Sequence, residues 1–216
     1  MAGYGVPPKE LMLTLQKAFS LERFLETGTY LGRTAAWAAE SFDEVVTIEA
    51  SSDLHDAARK RHGHLPNVRW VRGDTRDVLP CEVARLAGPA VVWLDSHWSG
   101  GTTYGERDEC PLLAEIETLR TSPYPHHLFI DDARLFLSPP PPPHDADQWP
   151  TLVEIVTALN AGERPLEVFV VGDTFVAVPP EAKRVVRDFA QSSASEGKAA
   201  PAPFGTRLRT RLRRER

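Results

Sequence analysis

The feature that most constrains the fold is an alternation, between residues 21 and 160, of short apolar, β-branched runs with amphipathic stretches. Residues 44–49 (EVVTIE) and 90–95 (AVVWLD) are clear examples of the short runs. The predicted strands are residues 23–26, 44–49, 68–72, 90–95, 127–131, 166–171 and 174–178. Strands that alternate with helices are typical of βαβ units around a parallel sheet. The sequence therefore predicts an α/β fold with a Rossmann-like, doubly wound sheet.

The last two predicted strands are separated only by Gly172 and Asp173, a connection that suits a tight antiparallel hairpin. The sheet is therefore expected to be mostly parallel and to finish in a C-terminal antiparallel hairpin. Helices are predicted over residues 34–41, 52–62, 112–119 and 152–159. Residues 77–86 are expected to form a crossover with little helix.

The length of 216 residues and the hydrophobic fraction of 42% suit one mid-sized domain with a substantial core. We expect this domain to span residues 20–190. Residues 1–19 have Leu11, Leu15 and Phe19 on one helical face and are predicted to form a helical lead-in that packs over the domain or covers the substrate. Residues 191–216 are rich in Ser, Ala, Pro and Arg, and we expect a disordered basic tail.

The charge distribution argues against a nucleic-acid partner. The net charge is −5, but the last ten residues contribute +5, so that the rest of the chain carries −10. Nucleic-acid binders need a basic face to neutralise phosphates.

The apolar runs are shorter than the roughly 18 residues that a membrane helix needs, so no membrane association is expected. The first residues lack the pattern of a signal peptide, and Cys81 and Cys110 cannot form a disulfide framework. We therefore predict a cytoplasmic protein.

Glycines or carboxylates follow the first five predicted strands. The first strand leads into residues 26–34 (ETGTYLGRT), and the second ends at Glu49. The later strands end at Gly73-Asp74, at Asp95 and at Asp131-Asp132. Ligands of open α/β sheets bind at the carboxyl ends of the strands. Each carboxylate taken alone can instead cap a helix or form an Asx turn. Together on one rim, these acidic groups repel one another unless a cation or ligand is bound, which favours a functional site.

In order, the segments ETGTYLGRT, TIEA, WLDSHW and FIDDA resemble motifs of class I S-adenosylmethionine-dependent methyltransferases. They are most similar to the small metal-dependent O-methyltransferases typified by catechol O-methyltransferase, although Ser96 is an additional residue in WLDSHW. A second resemblance is to macrocin-type sugar O-methyltransferases. The resemblance covers about half of the chain, residues 26 to 133, and implies the strand order 3-2-1-4-5-7-6.

The resemblance also implies two sets of ligand-binding residues. S-adenosylmethionine would be bound by Glu26, Gly28, Thr29, Tyr30, Gly32, Thr34, Glu49, Ala50, Asp74, Thr75, Asp95, His97 and Trp98. A divalent cation would be held by Asp95, Asp131 and Asp132. Mg²⁺ is the expected metal, because carboxylate oxygens are hard ligands.

Two histidines are candidates for the catalytic base, because the lysine that the resembled group has after its fourth strand is missing here. His97 follows the predicted metal ligand, but it can also pack near the adenine with Trp98. His144 lies beyond the proline run of residues 139–143, but it can also be an exposed loop residue.

The long polar loops predict a small hydroxylated acceptor, and we expect a sugar or glycoside. Trp98, Tyr104 and Trp149 are available to stack on a sugar ring. A homodimer is possible, with the lead-in helix as one available interface. The alternatives are an NAD(P)-dependent oxidoreductase on the same topology and a non-catalytic cofactor-binding domain. The GxGxxG spacing of a dinucleotide fold is absent, which argues against the first alternative.

Overall fold

A computed structural model describes residues 7–101 and 103–196 and contains one seven-stranded sheet with the order β3-β2-β1-β4-β5-β7-β6. The strands are β1 (Arg23–Thr27), β2 (Glu44–Glu49), β3 (Val68–Arg72), β4 (Ala90–Leu94), β5 (His127–Ile130), β6 (Glu167–Val171) and β7 (Thr174–Val178). Strands β1 to β5 pair in parallel, whereas β7 is antiparallel to both β5 and β6. The predicted fold class, strand order and C-terminal hairpin are confirmed.

Helices cover both faces of the sheet. They are α1 (Lys9–Phe19), α2 (Arg33–Ala38), α3 (Ser52–His62), α4 (Thr75–Arg85), α5 (Leu112–Thr121), α6 (Arg134–Leu137), α7 (Leu152–Leu159) and α8 (Lys183–Glu196). In β4, Val92 packs with the core that includes α4, α5 and α7, whereas Val91 and Trp93 pack with the core that includes α1, α2 and α8. Successive strand residues point to opposite faces, so a continuous apolar strand can fill two cores.

Helix α1 is part of the second core. Its residues Leu11, Met12 and Leu15 are fully buried against sheet residues such as Phe24. In the structure this helix packs against the sheet as part of the domain core.

Two expectations about helices were wrong. Little helix was expected in residues 77–86, but residues 75–85 form α4. The helix is stabilised by the Asp74 side chain, which caps it by accepting from the Arg76 amide at 3.0 Å, and by the burial of Leu79 and Val83. The internal Pro80 and the sparse apolar pattern concealed this helix. Helix α8 extends to Glu196 and covers the first residues of the predicted disordered tail. The rest of that tail lies outside the described residues. No helix in the described ranges is long and apolar enough to cross a membrane.

Candidate cofactor and active site

A cavity of about 680 Å³ opens at the carboxyl ends of β1, β2 and β4. The predicted cofactor-binding residues on its wall are Gly28, Tyr30, Glu49, Ala50, Asp74, Thr75, Asp95 and His97. The other predicted residues, Glu26, Thr29, Gly32, Thr34 and Trp98, are not among its lining residues. A cavity of this size suits a cofactor or drug-sized ligand. The strands thus bring these strand-end residues together at one edge of the sheet, which is the position where doubly wound sheets bind ligands.

The turn after β1 requires glycine at position 28. Gly28 has φ +84°, and a Cβ atom built there would lie 2.0 Å from the carbonyl oxygen of Asp95. The Gly28 and Thr29 amides donate to the carbonyl oxygen of Ile48 at 2.9 and 3.1 Å. The turn is thus fixed between β2 and β4, with its backbone at the cavity wall.

Glu49 is oriented at the end of β2 by two backbone amides. Its Oε2 accepts from the Tyr30 amide at 2.8 Å, and its Oε1 accepts from the Ser51 amide at 2.9 Å. Each carboxylate oxygen can accept more than one hydrogen bond, so both oxygens of Glu49 can still accept a hydrogen bond from a ligand. The fixed carboxylate suits recognition of a diol, such as that of a ribose.

A buried network of hydrogen bonds connects the glycine turn with β1 and β2. Thr47 Oγ1 donates to Glu26 Oε2 at 2.6 Å and lies 2.5 Å from Thr29 Oγ1. Burial, with additional repulsion from Asp95 and Glu49, raises the pKa of Glu26 to about 8, although hydrogen bonds from Thr47 and Thr34 oppose this shift. Glu26, Thr29 and Thr34 therefore stabilise the turn rather than line the cavity.

The raised pKa of Glu26 predicts a pH-dependent stability. The unfolded chain loses this proton near the ordinary pKa of 4.5, whereas the folded chain keeps it until about pH 8. The free energy of unfolding should therefore fall as pH rises from 4.5 to 8, by roughly 3–5 kcal/mol if the whole shift is expressed. We expect Glu26→Gln to flatten this dependence in urea unfolding experiments between pH 5 and pH 9. The exposed Glu22→Gln is the matched control, and equal slopes for both variants would contradict the prediction.

Two contacts near the end of β3 connect the body of the domain with the loop of residues 96–111. The guanidinium of Arg76 bonds to the Asp74 carboxylate at the start of α4 and also pairs with Asp108 on the loop. Tyr104 donates to Asp74, and this bond together with those from Arg76 lowers the pKa of Asp74 despite its burial. Arg76, Tyr104 and Asp108 all line the cavity. Arg76 and Asp108 could not be predicted as neighbours from the sequence, because only the fold brings these two oppositely charged residues together.

Ser96, the additional residue in the WLDSHW motif, is held by a buried carboxyl group. Its hydroxyl donates to Glu115 Oε1 at 2.6 Å. Glu115 is 2% exposed, and burial raises its pKa. The extra residue thus has a defined anchor on α5.

The acidic residues after β4 and β5 surround His97. The Nε2 atom of His97 lies 3.1 Å from Asp132 Oδ2, and its Nδ1 atom lies 3.8 Å from Asp95 Oδ1. Burial raises the pKa values of Asp95 and Asp131, and repulsion among the carboxylates adds to this effect. Burial alone would lower the pKa of His97, but the bond with Asp132 and the surrounding negative charges raise it. His97 therefore lies within reach of carboxylates from both strand ends and is hydrogen-bonded to Asp132.

The predicted metal ligands do not form a metal site in this arrangement. Within the part of the chain that the structure describes, no group of three or more His, Cys, Asp or Glu side chains is placed to hold a metal ion. Asp132 bonds to His97 through Oδ2 and to Arg134 through Oδ1, which lies 2.6 Å from Arg134 Nη1. Asp131 Oδ1 accepts from the backbone amide of Asp132 at 2.8 Å. The donor set therefore does not fit a cation without rearrangement.

His144, the second candidate base, is held away from the cavity wall. Its Nδ1 atom lies 2.8 Å from Glu109 Oε2, which also accepts from Trp149 Nε1 at 2.7 Å. The ring of His144 packs edge-on against Trp98 and Trp149, both of which are buried. Glu109 thus joins the loop of residues 96–111 to the loop after the prolines. Of the three aromatic residues predicted to stack on a sugar, only Tyr104 lines the cavity.

No protein-family model matches the sequence, and no curated protein is significantly similar to it in sequence. The fold, in contrast, is shared with solved methyltransferases. An O-methyltransferase from Bacillus cereus in complex with SAH is 20% identical, with a TM-score of 0.55 over 82% of this chain and 83% of that chain. The SAH-bound methyltransferase PaMTH1 from Podospora anserina is 18% identical, with a TM-score of 0.55 over 79% and 76% of the two chains.

A third similar structure is SAM-bound CalS10, an amino pentose methyltransferase from Micromonospora echinaspora. It is 15% identical, with a TM-score of 0.52 over 79% of this chain and 89% of that chain. The chain therefore has the fold of class I S-adenosylmethionine-dependent methyltransferases, as the motifs predicted. At these identities the similarity establishes the fold alone.

Proposed function

We propose that the protein transfers the methyl group of S-adenosylmethionine to a hydroxyl oxygen of a small molecule. The observation that carries this proposal is the cavity of about 680 Å³, in which Gly28 and Glu49 meet Asp95 and His97. The backbone at Gly28 gives the cofactor a close approach, and the oriented Glu49 carboxylate is placed to accept from a ribose diol. The solved methyltransferases with this fold support the same cofactor.

Methyl transfer from a sulfonium is an in-line displacement, in which the acceptor oxygen must lie behind the methyl group. S-adenosylmethionine supplies an activated methyl group when bound. The chain must orient the acceptor and take up its proton. We assign proton uptake to the pair His97 and Asp95, because both residues line the cavity and Asp132 holds the imidazole of His97. His144 is less suited, because it is not part of the cavity lining.

We further propose that the acceptor is a sugar or glycoside. Polar side chains on the cavity wall, including Ser99, Thr103 and Tyr104, offer hydroxyl groups for hydrogen bonds to such an acceptor. The fold shared with CalS10 is consistent with this choice of acceptor class. Asp132 already bonds to His97 and Arg134, and it is therefore not assigned to a Mg²⁺ ion. A homodimer and a cytoplasmic location remain predictions.

Thermal-shift titration provides the first test of this function. A ligand that binds only the folded state raises the melting temperature. We expect S-adenosylmethionine and S-adenosylhomocysteine to raise it at concentrations well above their Kd, and NAD to have no effect. A response to NAD alone would favour the oxidoreductase.

Transfer of a labelled methyl group to a panel of sugars, catechols, protein and RNA then identifies the acceptor class. Transfer to none of these would favour a non-catalytic binding domain.

A further inference from the structure

The carboxylate of Asp132 is shared between two basic side chains of this chain. His97 Nε2 lies 3.1 Å from Oδ2, and Arg134 Nη1 lies 2.6 Å from Oδ1. Asp132 is largely buried, with 14% of its side chain exposed, whereas the side chain of Arg134 is 40% exposed. Charge-assisted hydrogen bonds of this kind are stronger than bonds between neutral groups. Both carboxylate oxygens that would face a metal therefore already have partners.

Arg134 is fixed by the C-terminal hairpin as well as by Asp132. Its backbone amide donates to Asp173 Oδ1 at 2.9 Å, and its guanidinium also pairs with Asp173 Oδ2. The Ala133 amide donates to the carbonyl oxygen of Asp173 at 2.9 Å. Asp173 lies in the turn between β6 and β7, so the antiparallel end of the sheet positions Arg134 beside the acidic cluster.

A cation bound by Asp95, Asp131 and Asp132 would have to displace these contacts. Release of Arg134 from Asp132 would break a charge-assisted hydrogen bond, and release of His97 would break its hydrogen bond to the same carboxylate. The carboxylate of Asp132 is already paired with the guanidinium of Arg134 and hydrogen-bonded to His97.

We propose that Arg134 supplies at Asp132 the positive charge that a divalent cation supplies in the methyltransferases that the motifs resemble, while His97 is hydrogen-bonded to the other oxygen of this carboxylate. Methyl transfer then requires no added metal, and Arg134 is a positioning residue that holds Asp132 against His97. This inference rests on the proposed methyltransferase function.

The first experiment tests the metal requirement of the full chain. The protein is treated with EDTA and dialysed, and methyl transfer to its acceptor is measured with and without Mg²⁺. In parallel, bound Mn²⁺ is measured by electron paramagnetic resonance at millimolar metal. We expect less than a twofold change in rate and no bound Mn²⁺. A rate that falls at least tenfold in EDTA and returns with Mg²⁺, or stoichiometric Mn²⁺ binding, would overturn the inference.

The Mn²⁺ measurement separates this inference from the proposed function, because it does not depend on turnover. Absence of methyl transfer with every acceptor would contradict the proposed function. Stoichiometric binding of Mn²⁺ would contradict the metal-independent arrangement even in a protein that binds S-adenosylhomocysteine and transfers no methyl group.

The second experiment tests the role of Arg134. We expect Arg134→Gln to lower kcat at least tenfold with little change in the KM for S-adenosylmethionine, and Arg134→Lys to recover most of the loss, since it restores the charge. Arg187→Gln is the matched control, because Arg187 pairs with Asp188 on α8, away from the cavity lining. Full activity in Arg134→Gln would contradict the proposal. If Arg134→Gln does not fold, Arg134→Lys is the deciding variant. A wild-type kcat in Arg134→Lys would support the role of the charge, and a tenfold lower kcat in folded Arg134→Lys would contradict it.

Discussion

Replacement of His97 by glutamine is expected to reduce kcat by about 10²–10³-fold, within the range found for general acid-base groups. The imidazole lies between Asp95 and Asp132 on the cavity wall and is proposed to share in proton uptake from the acceptor. Glutamine keeps a hydrogen-bond donor toward Asp132 but cannot exchange a proton near neutral pH. The measurement is the initial rate of methyl transfer at saturating S-adenosylmethionine and acceptor.

Two histidine variants control this experiment. His64→Gln changes an exposed histidine outside the cavity lining and is expected to leave kcat unchanged. His144→Gln removes the partner of Glu109 and is expected to cause a smaller loss than His97→Gln, because His144 does not line the cavity. Thermal shifts with S-adenosylhomocysteine verify that each variant still binds the cofactor product. If His144→Gln caused the larger loss in kcat, the base would have to be reassigned to His144.

Substitution of Gly28 by alanine is expected to destabilise the domain and to abolish cofactor binding. The added Cβ would lie 2.0 Å from the carbonyl oxygen of Asp95, in a residue with φ +84°. The left-handed conformation costs an alanine about 1–2 kcal/mol, and overpacking typically adds about 1–3 kcal/mol. Urea unfolding should therefore show a loss of roughly 2–5 kcal/mol, and calorimetry should show no heat of binding for S-adenosylhomocysteine.

Gly172→Ala isolates the conformational part of this effect. Gly172 has a similar φ of +64°, but a Cβ atom there would meet nothing within 4 Å. We expect this variant to lose only about 1–2 kcal/mol and to bind S-adenosylhomocysteine normally. Equal losses in the two variants would mean that β1 and β4 separate easily, and that the close contact of Gly28 with Asp95 has little energetic importance.

The strands were predictable because each is marked by a run of apolar residues that are neighbours in the sequence. The five apolar residues of β4 are all buried, and a continuous run of this kind identifies a strand covered on both faces. The hairpin was predictable from the short turn at Gly172 and Asp173. Helix α4 was missed because its stability depends on the Asp74 cap and on burial of Leu79 and Val83, while Pro80 interrupts the local pattern.

The site was predictable only in part. Residues at strand ends, such as Glu49 and Asp95, were found because the carboxyl ends of parallel strands share one edge of the sheet. Arg76, Glu109 and Arg134 were missed as site or support residues. Their partners Asp108, His144 and Asp173 are 32, 35 and 39 positions away in the chain, and no sequence spacing relates such pairs.

The sequence by itself determined the positions of the strands along the chain, the glycine turn and the acidic rim, because hydrophobic periodicity and turn chemistry act over a few neighbouring residues. Only the tertiary structure decided how the charges on that rim are paired. The hairpin turn brings Asp173 to Arg134, and β4 and β5 bring His97 to Asp132. Such pairing depends on the positions of atoms from distant segments, so the contacts of Asp132 with His97 and Arg134 could not be predicted from local sequence patterns.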